Sequence, residues 1–336
     1  MNTLINKKVV VIGGGTGTFV VLSGLKKWVK DLVAVVSMAD SGGSNKKIRD
    51  EFGLLPTSDI RQCFVALASG SSETEKIMRQ LFTYRFTKGN GLTGMTFGNL
   101  FMAALADILG SQFEAIEKTG KVLRINGKVI PVSMENVELC ARYENNSVIK
   151  GEHVIDEPPI EHDCNQRITN LWVKPRAKAS KEALEEIKSA DLIILGPGDL
   201  YTSTLANLVV DGVGEAICQS RGKLLFILNL MTKSGQTTGF AALDHIDQIK
   251  KYTARLPDYV FLNNKLIPDK ICEKYWLEEK SVPVKDDLPQ KTSYKVFRSD
   301  FLSDLIYQKP SADALKRSLV RHDSDKIAKE VVYLIK

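Results

Sequence analysis

The sequence predicts an α/β domain with a mainly parallel sheet, helices on both faces and a small antiparallel insertion. Three observations lead there. Short apolar, β-branched runs alternate with helical patterns along most of the chain, as in a parallel sheet whose strands are buried on both faces. Four of these runs end in glycine or small polar residues, as loops at the carboxyl edge of such a sheet do. Only residues 121–160 break the alternation.

In order along the chain, Val9-Val-Val-Ile12 runs into Gly13-Gly-Gly-Thr-Gly-Thr18, so a buried strand feeds a tight turn. Phe19 to Lys30 then carries Val20, Val21, Gly24, Leu25 and Trp28 at helical spacing. A second strand, Leu32 to Ser37, leads to Asp40-Ser-Gly-Gly-Ser44. Further strands are expected at 191–195, 223–228 and 258–262, with helices at 204–219, 240–254 and 326–335. Within 121–160, Asn126-Gly127 stands between two strand-like runs, a strong hairpin signal, and Asn145-Asn146 plays the same part between 137–143 and 148–154. No repeat, low-complexity tract or long linker intervenes, so 1–336 reads as one domain with a β-meander insertion at about 121–160.

The composition narrows the class. Of 336 residues, 43% are hydrophobic and 26% charged, which excludes a disordered or fibrous chain. The net charge of +6 is small and falls in no dense basic cluster, so nucleic acid is not an expected partner. Five cysteines, far apart and without a C-x-x-C pair, exclude a disulfide framework and a cysteine-based zinc site. They fit a reduced cytoplasm. No run approaches the ~20 apolar residues of a membrane helix, so membrane insertion is not expected.

The chemistry should gather where four loops leave buried strands: 13–18, 40–44, Gly196-Pro-Gly-Asp199 and Asn229-Leu-Met-Thr232. The first is neither a dinucleotide fingerprint, because Thr18 stands where G-x-G-x-x-G needs glycine, nor a Walker A motif. Its physics survives nonetheless. Gly13, Gly14, Gly15 and Gly17 let the backbone approach a phosphate, amides at a helix start bind it, and Thr16 and Thr18 add hydroxyls. A side chain at Gly15 or Gly17 is therefore expected to block the ligand and leave the fold intact. In the second loop, Asp40 ends a strand where dinucleotide folds place a ribose-binding carboxylate, with Ser41, Gly42, Gly43 and Ser44 after it. Asp40 is also a candidate to hold Mg2+ against phosphates, with Asp59 a distant second. His153, His162, Asp163 and Cys164 have no metal-site spacing, and His245 has no nucleophile elbow.

These loops occur in a familiar order. Ile12-Gly-Gly-Gly-Thr-Gly-Thr18, Asp40-Ser-Gly-Gly-Ser44, Gly53-Leu-Leu-Pro56 with Asp59-Ile-Arg61, Phe97-Gly-Asn-Leu100, Gly196-Pro-Gly-Asp-Leu-Tyr-Thr-Ser203, Asn229-Leu-Met-Thr232 and Arg321-His-Asp323 follow one another. Together they resemble the family that joins the bacterial gluconeogenesis factors to 2-phospho-L-lactate transferase, and more closely the gluconeogenesis-factor branch. The resemblance implies a Rossmann-like three-layer α/β/α sandwich. In the factor branch it implies binding of UDP-sugars and a role in carbon metabolism, cell-wall synthesis and cell shape. In the transferase branch it implies magnesium-dependent transfer of a phospholactyl group from a nucleotide-diphosphate donor. Carried onto this chain, loops 13–18 and 196–203 line the nucleotide site, the second including Gly196, Pro197, Gly198, Asp199, Tyr201, Thr202 and Ser203. Asn99, Asn229 and Tyr275 join the ligand-binding set, and Arg321 pairs with the diphosphate. Ser324 corresponds to a Thr or Ser open to a Ser/Thr kinase.

The chain departs from that pattern around its second loop. Ala39 replaces an acidic residue, Asn45-Lys46 replaces Thr-Gly, Ser58 a glycine, Gln62 an asparagine and Met95 a histidine. Loss of a carboxylate and of a proton carrier weighs more against catalysis than against binding. The reading is a cytoplasmic, homo-oligomeric binding protein for a UDP-sugar that acts as a metabolic regulator. The alternative is a magnesium-dependent phospholactyl-type transferase, and a dinucleotide-dependent oxidoreductase is disfavoured by the failed fingerprint.

Overall fold

A computed structural model describes residues 4–69, 72–304 and 319–336, apart from the side chains of 43, 44 and 46. Among the described residues, ten strands form two sheets. The main sheet contains β1 (Ile5–Gly13), β2 (Val29–Val36), β3 (Lys128–Pro131), β7 (Leu192–Leu195), β8 (Lys223–Ile227), β9 (Tyr259–Asn263) and β10 (Lys295–Ser299). Its order is β10-β9-β8-β7-β1-β2-β3 and every pairing is parallel. The second sheet pairs β4 (Glu138–Tyr143) antiparallel with β5 (Val148–Lys150) and β6 (Ile168–Lys174).

Parallel strands need crossovers, and helices provide them on both faces. Val10 and Ile12 of β1 join Val33, Val35, Ile193 and Phe226 in one core layer. Val9 and Val11 join Leu32, Ala34, Ile194 and Leu225 in the other. Period-two alternation across a sheet covered on both sides leaves residues 9–12 with no exposed surface at all. The expected three-layer α/β architecture is thus present. Among the described residues no helix is long and apolar enough to cross a membrane.

Three local expectations need correction. First, Asn126-Gly127 makes no hairpin. Residues Gln112–Val122 are helical, and β3 pairs in parallel with β2, Val33 to Lys128 through Val36 to Pro131. Gly127, at φ +131°, lets the chain pass against the Leu32 carbonyl, where a Cβ would lie 2.4 Å from the oxygen. The antiparallel unit keeps its Asn145-Asn146 turn, but its third strand is β6, so it extends to Lys174. Second, the helix expected at 204–219 is divided. A π-helical turn at Leu200–Leu205 runs into Ala206–Leu208, and Gly212 at φ +95° precedes Val213–Gln219. Third, helix α1 (Gly15–Leu25) begins inside the glycine loop and ends before Lys30, because the chain must turn into β2.

β1 is where the chain reverses direction across the sheet. The chain steps from β1 to β2 and β3 on one side, then to β7, β8, β9 and β10 on the other. Loops diverge at such a switch point and open a crevice at the carboxyl edge.

Candidate functional site

The crevice is real and large. A cleft of about 670 Å³ lies at the ends of β1, β7 and β8, lined by Gly14 to Gly17, Pro197 to Asp199 and Asn229 to Ser234. Asp156, Glu157, Tyr275, Arg321 and His322 complete its wall.

Gly14 is the extended N-cap of α1, and Gly15 opens the helix at φ +63°. The first N–H groups of a helix have no partner inside it and carry the positive end of its dipole. Here they face the cleft, an arrangement suited to an anion. Each glycine is explained separately. A Cβ on Gly17 would lie 1.9 Å from the Pro197 carbonyl oxygen, so this residue lets the β1 and β7 loops touch. A Cβ on Gly14 would lie 2.1 Å from Asp59 Oδ2. Gly15 meets only Ser203 Oγ at 3.9 Å and opens onto free space. The expectation that Gly17, like Gly15, tolerates a side chain without loss of fold is therefore corrected.

The opposite wall carries charge. Lys233 Nζ donates to Asp156 Oδ1 at 2.6 Å and to Asp199 Oδ2 at 2.9 Å. Thr202 Oγ1 and Gln236 Nε2 donate to the same Asp156 oxygen, at 3.1 and 3.0 Å. Burial would lower the Lys233 ammonium, but the two carboxyls outweigh it and hold its pKa above the ordinary value. Burial would likewise raise Asp156, yet Lys233 keeps it below its ordinary value. Burial wins at Asp199, whose pKa is raised. Asn229 Nδ2 donates to the Gly198 carbonyl at 2.7 Å and fixes the β8 loop against the β7 loop.

The third wall comes from far along the chain. The Tyr275 hydroxyl accepts from the amides of Leu319 and Val320, at 2.8 and 3.2 Å, which brings Arg321 and His322 to the cleft. Burial pushes the His322 imidazole down to about 4, and a hydrogen bond to the Leu228 backbone offsets only part of this.

Of the residues singled out from sequence, Gly14, Gly15, Thr16, Gly17, Pro197, Gly198, Asp199, Ser203, Asn229, Tyr275 and Arg321 meet at the cleft. Gly13 and Gly196 lie behind the loops, and Thr18 is fully buried under Gly13 with an unpartnered hydroxyl. Tyr201 is core, its hydroxyl donating to the Ile168 carbonyl at 3.4 Å, and Thr202 reaches the cleft only through Asp156. Asn99 is fully buried and donates to Ser58 Oγ. Residues 40–44 do not line the cleft. Asp156 and Lys233 were not singled out from sequence. The one available signal was that Lys233 directly follows the Asn229–Thr232 motif.

The second loop is fastened rather than open. Asp40 Oδ1 accepts from the Gly42 amide at 2.8 Å and Oδ2 from Asn45 Nδ2 at 2.5 Å. Asn45 Oδ1 in turn accepts from the Thr57 and Ser58 amides and the Ser58 hydroxyl, so the two replaced positions bond to each other. Among the described residues no group of three or more His, Cys, Asp or Glu is placed to hold a metal ion. Asp40 is thus engaged within its own loop, while Asp59 lies against Gly14.

A family model described as 2-phospho-L-lactate transferase CofD matches residues 9–302. The chain belongs to the CofD family. Within and around that family, the gluconeogenesis factor of Bacillus subtilis strain 168 is 37% identical over 331 residues, covering 98% of both chains. The gluconeogenesis factor of Halalkalibacterium halodurans is 35% identical, covering 97% of this chain and 96% of its own. A crystal structure of a UPF0052 family member from Bacillus halodurans superposes with a TM-score of 0.85 at 32% identity, covering 98% of this chain and 100% of that one. The CofD fold seen here is therefore shared over almost the whole length of these relatives.

Proposed function

We propose that this CofD-family protein binds a nucleotide diphosphate joined to a sugar, a UDP-sugar, and acts as a regulator of carbon metabolism and cell-envelope synthesis. One observation carries the reading. The amino end of α1, the Arg321 segment and the charged Asp156–Lys233–Asp199 wall meet in one cleft at the switch point of a parallel sheet. The helix amides and the Arg321 guanidinium suit a diphosphate. The names of the curated relatives support a gluconeogenesis-factor role at the coarser level. In this reading the protein works in the cytoplasm as an oligomer of its own chain, and a kinase acting on Ser324 is its proposed control.

Binding is better supported than phospholactyl transfer. Such a transfer needs charge neutralised on the leaving phosphate, usually by magnesium on open carboxylates. Here both Asp40 oxygens already accept protein hydrogen bonds. The test is thermal shift and calorimetry with UDP-N-acetylglucosamine, UDP-glucose, GDP and NAD. A ligand at a hundredfold its dissociation constant stabilises the native state by about 2.7 kcal/mol, so a UDP-sugar should raise the melting temperature clearly. A shift with NAD and none with any UDP-sugar overturns the reading.

A further inference from the structure

We propose that Asp156, Lys233 and Asp199 read the uncharged, hydroxyl-bearing group beyond the diphosphate; this rests on the nucleotide-sugar reading and names the residues that set its sugar specificity. An ammonium has three N–H donors. Lys233 commits one to Asp156 and one to Asp199, and among the described residues the third has no protein acceptor. Its side chain is 31% exposed and lines the cleft. Asp156 and Asp199 flank it at 24% and 37% exposure.

Charge decides what this wall takes. Two carboxyls around one ammonium leave no surplus positive charge for a phosphate. They do offer acceptors beside a free donor. A sugar hydroxyl, which both donates and accepts, matches that pattern, and each bond it makes there is charge-assisted. The anionic part of the ligand has its own place at the α1 amides and Arg321. Leu230, Met231 and Val320 line another part of the cleft and pack with Tyr275 in a separate apolar cluster. That side suits the flat face of a base. The cleft thus orders base, diphosphate and sugar from the Tyr275 wall to the Lys233 wall.

Thr202 and Gln236 are positioning residues, since they bond Asp156 and hold it against Lys233. The local sequence does not announce the triad, because its members come from three segments far apart in the chain.

The experiment is calorimetry of UDP, UDP-glucose and UDP-N-acetylglucosamine with the wild type, Asp199→Asn and Lys233→Met, each checked by circular dichroism. Lys233→Met leaves two carboxyls facing each other. Asp199→Asn keeps volume and the Lys233–Asp156 pair, and decides the matter if the first variant does not fold. The expected result is that the ratio of UDP-sugar to UDP affinity falls about tenfold, equivalent to about 1.4 kcal/mol. An unchanged ratio in folded Asp199→Asn overturns the assignment while leaving the nucleotide-sugar reading in place. Failure of the wild type to bind UDP or either sugar overturns both.

Discussion

Gly15 and Gly17 stand two residues apart and answer to different forces. A methyl group added at Gly17 would have to displace the Pro197 carbonyl, so Gly17→Ala should cost about 2–4 kcal/mol, read from denaturant unfolding. Gly15→Ala meets no such contact. It should cost only about 1 kcal/mol, for a side chain at positive φ, and yield a folded protein with weakened ligand affinity. Equal stability loss in the two variants would contradict this division. Tyr275 is a third case. Its hydroxyl is the acceptor for two amides of the segment that carries Arg321. Tyr275→Phe keeps the ring and strands both amides, a loss of about 1–3 kcal/mol for buried groups left unsatisfied. Ligand affinity should fall in the same variant, because Arg321 loses its support.

Elements were legible where their physics is local. The runs that became β1, β7 and β8 are buried on both faces, so their sequences are continuously apolar and announce themselves. β10 is an edge strand reading Lys-Val-Phe-Arg-Ser with no fully buried residue, and nothing in that pattern separates it from a loop. Asn126-Gly127 misled because its glycine serves a close passage by Leu32, a residue remote in sequence. The site divides the same way. Glycine loops are visible as local clusters, whereas Lys233 meets partners 77 and 34 positions away and no spacing rule could pair them. Two further predictions belong here. Arg255 donates to the carbonyls of Ile217, Ser220 and Gly222 and to Asp258, closing the end of the Val213–Gln219 helix onto the entry to β8. A lysine has no planar fork, so Arg255→Lys should cost about 2–3 kcal/mol and lower the melting temperature. At the last helix, Ser324–Ile335, Asp323 is the cap, accepting from the Asp325 and Lys326 amides at 2.9 Å, so Ser324 is free of that duty. Asp323→Ala should cost about 1 kcal/mol, while Ser324→Asp should be neutral or stabilising to the helix. If control by phosphate is correct, Ser324→Asp also weakens UDP-sugar binding through charge beside Arg321; unchanged affinity counts against it.

For the molecule as a whole, acid stability should bend on a buried histidine. His322 titrates at about 4 when folded and near 6.5 when exposed. Between those values the unfolded chain binds the proton and the native chain does not, so stability is lost as pH falls from 6.5 towards 4. The full contribution is about 3 kcal/mol. Burial lowers His245 as well and acts in the same direction. The raised carboxyls Asp40, Glu152 and Asp199 act in the opposite sense, so the informative quantity is a difference. Denaturant unfolding at pH 7 and pH 4.5 should show a smaller loss for His322→Gln than for the wild type. The same residue sits beside Arg321 in a wall that closes on Gly14, a residue about 300 positions away in sequence. That juxtaposition has a consequence for biosynthesis. During synthesis the glycine loop emerges about 300 residues before Arg321 and His322 can reach it. If the proposed nucleotide-sugar site is correct, a ligand has no complete site on a half-made chain and should act on folding only as a late seal on a sheet already formed.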